Sequence, residues 1–323
     1  MLTQFEKTLK KYAKKLVFTE GHDPRIVEAA SKLKADGMLE PILIGTKEDA
    51  EKAAKESGYS IEGITVINPK EYPGIDEMVD KMEELRKGKM TKDECREKLM
   101  LGNYFGTMLV KMGKADGLLG GATYSTADTV RPALQIIKTA PGSKIVSSCM
   151  VLNKQDENSK TTYIFGDCAI NIDPTEDELV QIALQTAETA KKFGLEPKVA
   201  MLSYSTLGSG KGERVEKVKN ATAKIKALNP DFDVDGELQF DTAISPVVAK
   251  TKAKNSTVAG KANVFIVPDI DSGNISYKVG ARLGGYEVFG PLLQGLNAPI
   301  NDLSRGCNAD EVYKIAMITV GLA

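Results

Sequence analysis

The sequence predicts an α/β protein with mostly parallel sheets, and two observations carry that prediction. Short apolar segments alternate with amphipathic helical stretches along most of the 323 residues, the pattern of buried strands joined by covering helices. The alternation is interrupted once, just after residue 142, by two strand-like runs joined by a polar turn, a spacing that suits a hairpin better than a crossover. A boundary at 140–145 then gives two α/β domains, which a chain of this length can support with separate cores.

The elements follow in order. Residues 15–19 form a short apolar strand. Asp23 as N-cap and Pro24 at the first helical position open a helix that runs to a stop at Gly37. Residues 41–44 and 64–67 are strands flanking a helix at 47–56. Helices are expected at 75–86 and 91–112, the second opening on the capping box of Thr91 and Glu94. A strand at 116–119 is broken by Gly120-Gly121. The hairpin comprises 144–152 and 161–168, with its turn at 153–158. Alternation then resumes as helix 176–193, strand 198–203, helix 212–228 and strand 263–267. Near the end, Asn308 with Glu311 three residues on has capping-box spacing and starts a helix through the apolar run 312–320.

Composition narrows the function. Apolar residues make up 42% and charged residues 27% of the chain, ordinary for a globular protein. A net charge of −1 offers no basic field for nucleic acid. No apolar run approaches the roughly 20 residues of a membrane span, and the residues after Met1 lack a signal-peptide core. Cys95, Cys149, Cys168 and Cys307 are scattered without a CxxC pair, so the expectation is a reduced, cytoplasmic setting. His22 is the single histidine. A histidine-rich metal site is therefore excluded, and acid–base work falls to carboxylates with arginines handling charge.

Four stretches concentrate chemistry. Residues 301–311 hold Ser304, Arg305, Cys307, Asp310 and Glu311 at a turn opening a helix, where unpaired N–H groups favour anions. The plainer reading is a glycine turn plus a helix cap. Residues 124–131 follow the strand ending at Gly120-Gly121; Ser125 and Thr126 can hold a phosphate, with Arg131 as a bidentate partner. Here the plainer reading is Ser125 as N-cap with Asp128 completing a capping box. The Ser/Gly loop 203–212 suits a phosphate nest but lacks P-loop spacing, and a flexible turn explains it as well. In 269–282, Asp269 and Asp271 are a thin case for a metal, and a helix cap by Asp271 or Ser272 is the commoner reading. Lys278 and Arg282, four apart, make a positive patch suited to a phosphorylated cofactor.

Together these stretches resemble the phosphate acetyltransferase (phosphotransacetylase) family. The likeness runs nearly the whole chain, through Phe18-Thr19-Glu20-Gly21, Ala115-Asp116-Gly117, Ser125-Thr126-Ala127-Asp128-Thr129-Val130-Arg131-Pro132, Met201-Leu202-Ser203-Tyr204-Ser205-Thr206, Glu237-Leu238-Gln239-Phe240-Asp241 and Asn301-Asp302-Leu303-Ser304-Arg305-Gly306-Cys307. The resemblance implies interconversion of acetyl-CoA plus phosphate with CoA plus acetyl phosphate. It implies two domains like those of the isocitrate and isopropylmalate dehydrogenases, an active site in the interdomain cleft, and a homodimer. It also implies that the chain returns to the first domain near its end, giving 1–142 plus 295–323 and 143–294. No tightly bound cofactor and no metal are expected, CoA being a substrate. By this likeness Ser304 donates to the acetyl carbonyl, while Arg131, Arg305, Ser125, Thr126 and Asn274 bind the phosphate group. Arg282, Lys278 and Arg86 bind CoA. The family's base is an aspartate seven positions after the motif serine; that position is Glu311 here, with Asp310 beside it, and either carboxylate can fill the role.

Three alternatives share parts of this pattern. A phosphate butyryltransferase runs the same chemistry on a larger acyl group. An NAD(P)-dependent 2-hydroxy-acid dehydrogenase has the same domain pattern, but the Gly-x-Gly-x-x-Gly turn is missing. A non-catalytic accessory module would not need the Ser304-Arg305 and Arg131 groups. Within the acyltransferase reading, the rival to direct transfer is an acyl-cysteine on Cys168 or Cys307, with no histidine nearby in sequence to activate either.

Overall fold

The computed structural model describes residues 3–155 and 160–322. Its packing divides the chain into two compact units, Met1–Gly142 with Leu296–Ala323, and Ser143–Gly295. The first contains α1 (Thr3–Tyr12), β1 (Lys15–Phe18), α2 (Pro24–Ala35), β2 (Glu40–Ile44), α3 (Lys47–Ser57), β3 (Thr65–Ile67), α4 (Ile75–Arg86), α5 (Lys92–Leu99), α6 (Gly102–Lys111), β4 (Gly117–Gly120) and α7 (Thr126–Pro132). The second contains β5 (Ser147–Gln155), β6 (Lys160–Gly166), α8 (Glu176–Lys192), β7 (Lys198–Leu202), α9 (Glu213–Ala227), β8 (Asp233–Leu238), α10 (Phe240–Ile244), α11 (Pro246–Lys252), β9 (Val264–Ile266), α12 (Ile270–Arg282) and β10 (Glu287–Gln294). The chain then re-enters the first unit as β11 (Ile300–Asp302) and α13 (Ala309–Gly321).

In the first unit five parallel strands run in the order β11-β4-β1-β2-β3. Each is short, and β4 is apolar and buried along its whole length. Helices lie on both faces. A Cβ on Gly117 would meet Val320 of α13, whereas Leu118 faces Gly106 of α6; successive strand residues point to opposite faces. The register brings three strand ends together. Phe18 pairs with Leu119, and Asp302 pairs with Gly120, so Thr19, Glu20, Gly121 and Leu303 all emerge at the carboxyl edge of the sheet. Ligands of open parallel sheets bind at that edge.

The second unit carries a mixed six-stranded sheet, β10-β5-β6-β9-β7-β8. β5 runs antiparallel to both β10 and β6, and the other pairings are parallel. The hairpin therefore forms, its first strand running Ser147–Gln155 rather than 144–152, so that 153–155 of the expected turn are strand; residues 156–158 of that turn lie outside the described residues. One apolar core, built around Phe165, Phe265, Met150 and Leu238, fills one side of the sheet.

Local signals explain most helix starts. Capping boxes form at Thr91/Glu94, Thr175/Glu178 and Asn308/Glu311, and Asp23 caps α2 ahead of Pro24. Two expectations need correction. The single helix 91–112 is two, because the chain turns at Met100-Leu101 and Gly102 opens α6 against the end of β1. A Cβ at Gly102 would lie 2.7 Å from the Thr19 carbonyl oxygen, closer than any side chain tolerates. The cap of α12 is Asp269, whose carboxylate accepts the Ser272 N–H at 2.8 Å, rather than Asp271 or Ser272.

The Gly102 contact is backbone against backbone, so it cannot be relieved by a rotamer change. Gly102→Ala is expected to destabilise the protein by about 2 kcal/mol, seen as a melting temperature several degrees lower. An unchanged melting temperature would refute the close approach.

Candidate active site

Two buried carboxylates organise the carboxyl edge of the first unit. Glu20, 2% exposed, follows β1. Its Oε2 accepts the N–H groups of Gly121 and Ala122 at 3.0 and 3.2 Å, and its Oε1 accepts the N–H and hydroxyl of Thr123 at 2.5 and 2.7 Å. The loop after β4 is thus wrapped around an internal anion, as other loops wrap a phosphate. Asp302, 1% exposed, ends β11 and accepts the hydroxyls of Thr126 (2.6 Å) and Thr129 (2.5 Å) on α7. Gly121 lies between the two, at φ +100° and with Asp302 where its Cβ would be, so only glycine fits. Burial pushes the Asp302 carboxyl up to about 6; the threonine donors pull it down, and the charge of Glu20 pushes it up again.

Asp302 ties α7 to the turn that contains Ser304. Ser304 and Arg305 are both exposed, and the Ser304 Oγ accepts the Gly306 N–H at 3.3 Å. Arg305 has no ion-pair partner among the described residues. On α7 the side chain of Arg131 is 56% exposed and only loosely paired with Asp128, at 3.6 Å. Ser125 stands at the N-cap of α7 but spends its hydroxyl on the Asp128 carboxylate at 2.7 Å instead of on a backbone N–H. The Thr126 hydroxyl proton goes to Asp302.

The two candidate bases differ. Asp310 pairs with Lys314 at 2.7 Å, one turn along α13. Glu311 folds back over the turn, its Oε2 accepting the Asn308 N–H at 3.3 Å while its own N–H donates to Asn308 Oδ1 at 2.9 Å. Between them and Ser304 lies buried Cys307, whose thiol burial pushes up to about 11 despite the nearby Arg25 cation. Burial also drives the Cys168 thiol well above its ordinary range. Burial thus disfavours the thiolate of both cysteines, the form an acyl-cysteine route needs.

Sequence reasoning missed Arg25. Its guanidinium forks onto Asp23 (Nε at 3.0 Å, Nη2 at 2.7 Å) and donates to the carbonyls of Ala122, Arg305 and Cys307 at 2.9–3.0 Å. Nothing local marks a residue whose partners lie 97 to 282 positions away.

Other expected residues lie apart from this edge in sequence and in element. Arg86 ends α4, reaching the Gln135 carbonyl at 3.4 Å, while its Nε is buried without a hydrogen-bond partner among the described residues. Asn274, Lys278 and Arg282 all lie on α12 of the second unit, where Lys278 Nζ donates to Asn274 Oδ1 at 2.7 Å. In that unit the Ser/Gly loop is not an empty nest: the Glu237 carboxylate accepts the Ser205 hydroxyl (3.0 Å) and the Gly208 N–H (2.6 Å), filling the place a phosphate would take. Asp269 pairs with Arg214 at 3.0 Å, and no group of three metal-ligating side chains occurs among the described residues. An apolar cavity of about 370 Å³ opens between Phe165, Phe240, Ile275, Val279 and Tyr286.

The raised Asp302 value sets a pH dependence. Its stabilising contribution is fully present below the unfolded value near 3.8 and is lost as pH rises through about 6, a swing of about 3 kcal/mol. The stability of the wild type relative to Asp302→Asn is expected to fall steadily between pH 4 and pH 7 in urea titrations. A difference that stays flat over that window would show that Asp302 does not titrate there.

Comparison with known proteins places this geometry in context. A family model described as phosphate acetyl/butaryl transferase matches residues 1–320. The phosphate acetyltransferase of Bacillus subtilis is 50% identical over 309 residues, 96% of this chain and 94% of that protein. That of Staphylococcus epidermidis is 48% identical, with the same coverage. Among solved structures, a phosphotransacetylase from Streptococcus pyogenes superposes with a TM-score of 0.94 at 52% identity, covering 98% of this chain and 96% of that one. A 4-hydroxythreonine-4-phosphate dehydrogenase from Burkholderia phymatum, 13% identical with a TM-score of 0.54 over 95% of this chain and 98% of that one, shares the fold alone. A match across nearly the full length at such identity decides the matter: the chain belongs to the phosphate acetyl/butaryl transferase family.

Proposed function

We propose that the protein is a phosphate acetyltransferase, moving an acetyl group reversibly between CoA and phosphate by direct attack in a ternary complex. The observation that carries this reading is the pairing of two exposed donors, Ser304 and Arg305, with Arg131 on a helix bonded to the same turn through Asp302. Relatives that share half of the sequence bear that name.

In the forward sense, a carboxylate takes the CoA thiol proton and the sulfur attacks the acetyl carbon. The C–S bond forms as the C–O bond to phosphate breaks, and the proton held by the carboxylic acid passes to the departing phosphate, which leaves as the dianion and returns the carboxylate to its starting state. Ser304 donates to the carbonyl oxygen as charge develops there. Arg131 and Arg305 neutralise the departing phosphate as bidentate donors, with the main chain at the start of α7 and Asn274 as further ligands. CoA is held by Arg86, Arg282 and Lys278. Glu311 is the base in this account, since Asp310 is turned to Lys314 while Glu311 folds over the Ser304 turn. A thiol near pKa 8.5 and a carboxylate near 4.3 differ by roughly 4 units, so the transfer is uphill by about 6 kcal/mol; the arginine cations offset that by stabilising the thiolate. No tightly bound cofactor enters the scheme.

A cytoplasmic setting and a homodimer belong to the same reading. Ile275, Val279 and Leu283, exposed along α12 and just beyond it, with Phe240 of α10, form the kind of apolar face that subunits cover.

Release of free CoA thiol from acetyl-CoA, measured with and without phosphate, tests the activity: strict dependence on phosphate is expected, and phosphate-independent release would contradict it. In the same assay Glu311→Gln should lower kcat by 100-fold or more with KM values held, whereas Asp310→Asn stays within about threefold of wild type. The reverse order would move the base to Asp310.

A further inference from the structure

The Arg25 guanidinium does more than cap a loop. All five of its N–H donors are engaged: three on Asp23 and Ala122, and both Nη1 hydrogens on the carbonyls of Arg305 and Cys307 at 2.9 Å. Burial pushes the Asp23 carboxyl up, but its pairing with Arg25 outweighs this and holds it below the usual carboxylate range, so the fork stays charged on both sides.

A trans peptide unit points its C=O and its N–H in opposite directions. The Arg305 carbonyl belongs to the peptide whose N–H is that of Gly306, and that N–H donates to Ser304 Oγ at 3.3 Å. The Cys307 carbonyl belongs to the peptide whose N–H is that of Asn308, and that N–H donates to Glu311 Oε2, also at 3.3 Å. One guanidinium nitrogen therefore reaches, through two peptide units, both the hydroxyl and the carboxylate of the proposed chemistry. We propose that Arg25 is a positioning residue of the acyl-transfer site, fixing the Ser304 hydroxyl and the Glu311 carboxylate together through the peptides it grips.

Two effects follow. A cation on each carbonyl polarises the peptide and strengthens its N–H as a donor. With the Gly306 N–H on one lone pair of Ser304 Oγ, the hydroxyl proton is free to turn to the substrate carbonyl. The planar fork is essential, because a lysine ammonium offers a point charge and cannot span Asp23 and two carbonyls at once.

The inference rests on the assignment of Ser304 and Glu311 above, so Ser304→Ala is assayed in parallel. Arg25→Ala is expected to lower kcat about 100-fold, the cost of a misplaced donor, with the KM values for acetyl-CoA and phosphate within about threefold. Because the Arg25 side chain is 31% exposed, guanidinium ion at tens of millimolar can enter the vacated space and is expected to restore part of kcat, while methylammonium is not. An unchanged kcat, loss without rescue by guanidinium, or KM values rising in step with the loss each overturn the proposal. Should Arg25→Ala not fold, Arg25→Lys is measured instead; a kcat reduced tenfold or more supports the proposal and wild-type turnover overturns it. If Ser304→Ala is inactive while Arg25→Ala turns over normally, this inference alone fails; if Ser304→Ala is fully active, the assignment beneath it fails.

Discussion

The first unit depends on a pair of buried anions. Glu20 and Asp302 reach the turn after β4 from two different strands, and the glycine between them leaves no room for a side chain. A carboxylate buried without donors would be prohibitively expensive; here Glu20 accepts main-chain N–H groups and a hydroxyl, and Asp302 accepts two threonine hydroxyls. The loop is consequently shaped before any ligand arrives. What remains directed outward is Ser304, Arg305 and Arg131, held on a frame that does not need substrate to form it. Such preorganisation is where electrostatic catalysis finds most of its advantage.

The same device recurs in the second unit, where Glu237 fills the Ser/Gly loop and Asp167 accepts the N–H groups of Ala169, Ile170 and Asn171. Sequence alone suggested that the Ser/Gly loop could receive a phosphate. A buried acid some thirty positions away already occupies it, and only the fold brings the two together.

That contrast explains what the sequence made legible. Caps and strand–helix alternation are local, so Asp23-Pro24, the Thr91 and Asn308 capping boxes and most strands of both sheets could be read directly. The break at Gly102 was not, because its cause is the Thr19 carbonyl on another element. β8, β10 and β11 went unrecognised: β8 carries acidic residues, β10 contains a Gly-Pro step, and β11 has only three residues, two of them polar. Among functional residues, the motif that contains Ser304 and Arg305 was visible through its density of chemical groups. Arg25 was not, and Asp302 stood in that motif without a role of its own, since the importance of both lies in partners that the fold supplies from distant parts of the chain.

Direct transfer is the claim on which the mechanism turns, and the burial of Cys168 and Cys307, which disfavours their thiolates, favours it over a covalent relay. The decisive measurement is isotope exchange between labelled phosphate and acetyl phosphate with CoA absent. Direct attack in a ternary complex predicts no exchange until CoA is added. Exchange at a rate comparable to turnover without CoA would require an acyl-enzyme and contradict the account.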